Sequence, residues 1–217
     1  MVSLWWRLVR FGFRLLYNEM AFTYDFVSWV VSLGAWRCWV SASLKHINSD
    51  SGVILELAHG TGNLQVDLHD AGHHAIGYDL SPAMGQIAWG KLSRHGIRPH
   101  LVQGRAQNLP FRSGAFASVI STFPTDFIIA PETLREVYRV LQPGGRLIIV
   151  PTSRFTGGGV IAKVVDGLYA ITGQRGSRDG NTQESAWDVF SPYGFEAHMV
   201  EEKCPRSVVT VIIAQKL

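Results

Sequence analysis

The residues with the clearest chemical potential form one short run, Glu56-Leu57-Ala58-His59-Gly60-Thr61-Gly62-Asn63, in a chain of 217 residues. Small residues at 58, 60 and 62 let the main chain turn sharply and let a ligand approach it with little side chain in the way. A helix is expected from residue 63, which turns unpaired N–H groups toward that turn. Asp79 follows at the end of a second β-rich run, where a carboxylate can accept both hydroxyls of a ribose. Turn, helix N-terminus and terminal acid together make a seat for a nucleoside. Asp79 also has a plainer reading, as a cap for the segment 81–94, and the glycines a plainer one, as a simple turn.

These residues need a frame. Val53 to Leu57 is an apolar run ending at glycines, the pattern of a buried parallel strand. A short helix over 63–71 follows, then strands at 74–79, 99–103, 117–122 and 146–151. Ser81-Pro82 opens a helix running to Arg94. Leu134, Val137, Tyr138 and Leu141 recur at helical spacing before Pro143-Gly144-Gly145 makes a tight turn. Residues 156–185 read as a Gly-rich, polar insertion around a short apolar helix. Phe195 to Lys203 and Ser207 to Gln215 read as an antiparallel hairpin. Strand–helix alternation predicts a doubly wound, mostly parallel, Rossmann-like sheet of α/β class with seven strands, closed by that hairpin and preceded by a helical extension. Residues 1–45 are expected as the extension and 46–217 as the main domain.

In register with that frame, three segments resemble class I S-adenosylmethionine-dependent methyltransferases. Glu56 to Gly62 is similar to their first motif, with Ala58 for its first glycine, as in the quinone-biosynthesis subgroup. Gly104-Arg105-Ala106-Gln107-Asn108-Leu109-Pro110-Phe111 resembles the segment after their third strand, and Leu134 to Val150 their late helix, turn and strand. The resemblance implies S-adenosylmethionine as cofactor, with Glu56, Ala58, His59, Gly60, Thr61 and Gly62 around its amino-acid part and Asp79 on its ribose. Leu80 and Met84 would pack on adenine, and Ala106 would meet it through the main chain. Arg105 departs from the family, which often has Asp or Asn there; a guanidinium cannot accept the adenine amino group. Gln107, backbone or stacking would then hold adenine.

Thr122 to Asp126 follows the fourth strand, where the family places residues beside the transferring methyl. Thr122 would touch the cofactor, and Thr125 or Asp126 would orient or deprotonate a substrate, unless Asp126 is simply a solvated loop residue. His59 either points at the substrate or lies exposed. Tyr24 either closes over the cofactor or packs as an ordinary aromatic.

Before the sheet, Leu4 to Leu16 places Arg7, Arg10 and Arg14 on one helical face and Trp5, Trp6, Phe11 and Phe13 elsewhere. That layout suits a helix lying in a membrane interface, or one packed across the sheet or a second copy. Peripheral membrane association through residues 1–16 would imply a lipid-like or apolar acceptor, a phospholipid amine or a quinone-type ring. A net charge of +3 is too small to argue for nucleic acid, and no histidine spacing suggests a metal. Oligomeric state is not legible. Cys38 and Cys204 are too few for a disulfide framework and form no CxxC pair, so a reducing, cytoplasmic compartment is the default. Two rivals remain, an NAD(P)-linked oxidoreductase and a non-catalytic, membrane-bound nucleotide fold. Against the first, Gln65 stands where a dinucleotide fingerprint has its third glycine.

Overall fold

The computed structural model describes residues 21–48, 52–156 and 188–217. The helix expected over residues 4–16 lies outside them, as does almost all of the insertion over 156–185.

Among the described residues the α-helices and strands follow in order. They are α1 (Tyr24–Val31), α2 (Trp36–Ser41), β1 (Ile54–Leu57), α3 (Asn63–Asp70), β2 (Ala75–Asp79) and α4 (Pro82–Arg94). Then come β3 (Leu101–Gln103), β4 (Phe116–Thr122), α5 (Pro131–Val140), β5 (Leu141–Phe155), β6 (Phe195–Cys204) and β7 (Ser207–Lys216). The strands form one sheet in the order β3-β2-β1-β4-β5-β7-β6. The first five pair in parallel, whereas β7 pairs antiparallel with both β5 and β6. The expected α/β architecture and its terminal hairpin are therefore both present.

Side chains alternate across each strand, and the two faces bury separate cores. Leu55, Leu57, Val119, Leu147 and Ile149 pack with Leu134 and Val137 of α5. Ile54, Ile120, Ile148 and Val150 pack on the other face with Leu64 and Leu68 of α3 and Trp39 and Val40 of α2. By the same alternation Glu56 shares the face of Ile54, so a carboxyl is buried under the α3 layer. From Trp36 onward the chain is thus part of the core. At the start of α4, Ser81 accepts a hydrogen bond from the Met84 amide at 3.2 Å with Pro82 in the first turn, as the sequence predicts.

Two features differ from expectation. Pro143-Gly144-Gly145 does not separate a helix from a later strand. Leu141 already pairs with Phe116 and Arg146 with Ser118, so the three residues are an excursion within β5. Secondly, Cys38 and Cys204 form a disulfide across a separation of 166 residues. Sequence distance hid this pairing, because α2 crosses the sheet face and comes to rest on the tip of the β6–β7 hairpin. There the Trp39 indole N–H also donates to Ser207 Oγ at 2.8 Å. Among the described residues no helix is long and apolar enough to cross a membrane.

Closing so long a loop restricts the unfolded chain. The double variant Cys38→Ser/Cys204→Ser is expected to lose ~2–4 kcal/mol of stability in urea denaturation under oxidising conditions. Adding reductant to the wild type should reproduce that loss. Superimposable curves for variant and wild type would show that the bond contributes nothing.

Candidate functional site

The end of β1 and the turn after it hold the site together. Ala58 adopts φ +57° and Gly60 φ +53°, both left-handed, a conformation that disfavours a Cβ. The Ala58 amide donates to the Tyr78 carbonyl at 2.7 Å, and the Gly60 amide donates to Asp79 Oδ2 at 2.9 Å. The other oxygen of Asp79 accepts from the Ser81 amide at 2.7 Å. Asp79 thus ties the turn to the ends of β2 and α4, and each oxygen keeps a lone pair for a ligand. A Cβ on Gly60 would meet nothing within 4 Å, so the main chain there faces open space, whereas one on Gly62 would press on Ala88 Cβ at 3.0 Å.

Glu56, Ala58, His59, Gly60, Thr61 and Thr122 line one small cavity with Tyr24, Trp36, Val40, Asn63 and Leu64. The expected amino-acid-binding residues and Tyr24 are therefore together. Gln65 Nε2 donates to Glu56 Oε2 at 2.6 Å. Burial, reinforced by the charges of Asp79 and Asp67 and opposed by Gln65, pushes the Glu56 carboxyl up to about 8. At about 30 Å³ the cavity holds little more than a water molecule. Tyr24 and Trp36 build one wall of it. Trp36 meets Tyr24 edge-on at 6.2 Å and stacks on Phe123 at 4.5 Å, so that wall is aromatic.

A polar latch fastens it. Asp25, in the first turn of α1, takes hydrogen bonds from Lys91 Nζ at 2.7 Å, Thr61 Oγ1 at 2.5 Å and Asn63 Nδ2 at 3.0 Å. Lys91 also donates to Asn63 Oδ1 at 2.6 Å. Partial burial raises the Asp25 carboxyl, but these partners outweigh it and hold the group below the usual carboxylate range. Sequence reading missed Asp25 and Lys91. A lysine in the third turn of a helix looks like surface charge, and only the fold brings it beneath the turn.

Other expected residues are dispersed. His59 does not lie exposed, although it borders both cavities. It is buried, Nδ1 lies 2.8 Å from the Gly60 carbonyl, and a Cβ at residue 77 would come within 2.9 Å of its ring. Glycine at 77 makes that room. Burial lowers the imidazole pKa against the pull of Asp79, which leaves it neutral. A wider groove of about 430 Å³ runs from His59 and Asp79 between α4 and β3, past Trp89, Leu101 and Val102. Met84 is fully buried in the core, so of the two side chains expected to flank adenine only Leu80 is presented. Arg105 and Gln107 are exposed and Ala106 is buried. Thr125 and Asp126 are exposed at the start of a 3-10 turn and line neither cavity, so the expected acid–base pair stands apart from the turn.

The profile of the ubiE/COQ5 methyltransferase family matches residues 13–165. The demethylmenaquinone methyltransferase of Beutenbergia cavernae is 36% identical over 140 residues, 64% of this chain and 57% of that protein. That of Thermus thermophilus is 34% identical over 139 residues, 62% of this chain and 63% of that protein. The chain thus spans about three-fifths of the length of these curated relatives. Among solved structures, geranyl diphosphate C-methyltransferase from Streptomyces coelicolor, in complex with S-adenosyl-L-homocysteine, superposes with TM-score 0.62 at 15% identity, covering 83% of this chain and 79% of that one. Phosphoethanolamine N-methyltransferase 2 of Haemonchus contortus does so with TM-score 0.62 at 15% identity, over 84% and 53%. At such identities these two likenesses show the fold.

The buried carboxyl has a pH signature. Between the ordinary value of a glutamate and about 8, the folded chain keeps a proton that the unfolded chain has released. This group therefore lowers stability as pH rises through that window. Glu56→Gln removes the effect, so its melting temperature relative to wild type should climb from pH 5 to pH 8. Parallel curves for the two proteins would refute the burial argument.

Proposed function

This chain belongs to the ubiE/COQ5 methyltransferase family, and from that premise we propose that it methylates a quinone-type ring acceptor with S-adenosylmethionine. The observation that carries the reading is the Gly60–Asp79 junction. It offers an open main chain and a carboxylate with spare lone pairs, side by side, next to a buried carboxyl at Glu56.

The residues fit the cofactor. Asp79 would accept the ribose hydroxyls, Leu80 would pack on adenine, and the Gly60 backbone would lie along the amino-acid part. Glu56 would supply the counter-charge for its ammonium, a cation that favours the ionised form of the raised carboxyl. The bound cofactor supplies an electrophilic methyl group on sulfur. The chain's own task is therefore orientation and exclusion of water, worth ~7–11 kcal/mol when reacting atoms are well aligned. Tyr24, Trp36 and Phe123 do this with an apolar, flat-sided wall suited to a planar ring. Within the extension expected over residues 1–45, α1 acts as the lid, fastened through Asp25 to Lys91 of the domain expected over residues 46–217. The relatives' names, which specify demethylmenaquinone, favour a quinone-type acceptor over a phospholipid amine. An NAD(P) reading is disfavoured because the position of a third fingerprint glycine is filled by Gln65, bonded to Glu56.

Calorimetry tests the assignment. S-adenosylhomocysteine is expected to bind and NADH not to. Asp79→Ala should weaken the former roughly 10–100-fold, as loss of charge-assisted hydrogen bonds implies. Labelled methyl should then pass to a demethylmenaquinone analogue. Unchanged affinity in Asp79→Ala would sink the site, and binding without transfer would sink the acceptor class.

A further inference from the structure

Helix α1 is amphipathic in the wrong sense for a helix facing water. Its buried positions are small and polar, Ser28 and Ser32. Its outward positions are large and apolar: Phe26 is 68% and Trp29 61% exposed, with Val30 beside them. Phe22 just before the helix, 76% exposed, and Leu33 just after it extend the row. At 100° per residue, positions 26, 29 and 30 of the helix itself fall within a stripe about 100° wide. The acid of α1, Asp25, is turned inward onto Lys91 and Thr61, so no charge of the helix interrupts the stripe.

We propose that this stripe is a membrane-docking surface, and that its partner is an anionic lipid bilayer. Water-exposed Phe and Trp in a row are costly unless they insert between lipid headgroups and acyl chains, where aromatic side chains are well accommodated. Charge argues for the same partner. The twenty residues before Ala21 carry Arg7, Arg10 and Arg14 among Trp5, Trp6, Phe11 and Phe13, against the acid Glu19 alone. A cationic, aromatic segment leading directly into the stripe complements an anionic surface. The opposite side of α1 carries Tyr24 into the site cavity, so docking through the outward face leaves that contact in place. This inference does not rest on the methyltransferase reading, since vesicle binding requires no chemistry.

The test is flotation of the full chain with phosphatidylcholine vesicles, with and without phosphatidylglycerol. The wild type is expected to float, more so on the anionic vesicles. Phe26→Glu/Trp29→Glu should lower partitioning roughly tenfold or more, while Phe26→Leu/Trp29→Leu keeps it. Far-UV circular dichroism and a thermal melt confirm that both variants fold. Wild type that stays with the soluble fraction overturns the proposal. So does a Glu variant that floats equally well, or a lipid-free wild-type dimer that the Glu variant converts to monomer without any vesicle binding.

Discussion

One hydrogen bond organises the site, that from the Gly60 amide to the Asp79 carboxylate. Parallel strands end side by side at the carboxyl edge of the sheet, and the chain leaving β1 must turn at once to reach α3. The turn needs left-handed backbone at residues 58 and 60, which the sequence meets with glycine at one and a strained alanine at the other. Asp79, one strand away, fixes the turn by accepting its amide and by anchoring the start of α4 through Ser81. The carboxylate proposed to bind the ligand is thereby also the structural pin of the edge.

Around that pin the chain accepts local costs. Glu56 keeps a carboxyl in an apolar layer, supported by the amide of Gln65. Phe123 is held at φ +48°, another left-handed non-glycine residue, where it stacks on Trp36. Such departures persist only where the surroundings over-determine them. Here they are held by β1 and β4 at the sheet centre, by the α2 layer, and by a disulfide joining that layer to the hairpin edge.

The proposed lid is held differently. Besides its small buried residues and the edge-on contact of Tyr24 with Trp36, α1 is fastened by Asp25 through polar contacts with Lys91, Thr61 and Asn63. Polar contacts can exchange for water at lower cost than a packed apolar face can be separated. The α1 side of the cavity is thus held partly by the kind of interaction that is easiest to release. Phe26, Trp29 and Val30 of α1 face outward and add nothing to its hold on the sheet.

Local pattern determined most of the architecture. Apolar runs bounded by glycine, the Ser81-Pro82 cap and the spacing of Leu134, Val137 and Tyr138 are read within a few residues of themselves, and the strand order with its hairpin follows from topological rules. The turn at 58–62 and its partner Asp79 were legible for the same reason, because successive strands of a parallel sheet place their ends together. Contacts that join distant segments were not legible. The bond between Cys38 and Cys204, the seating of Lys91 beneath Asp25, and the burial of His59 and Met84 depend on which helix face meets the sheet. Thr125 and Asp126 follow the fourth strand as expected, but they are exposed and line neither described cavity. Periodicity states that a side chain is on one face or another. Only the packed layers decide what that face meets, because burial and pairing depend on all the segments at once.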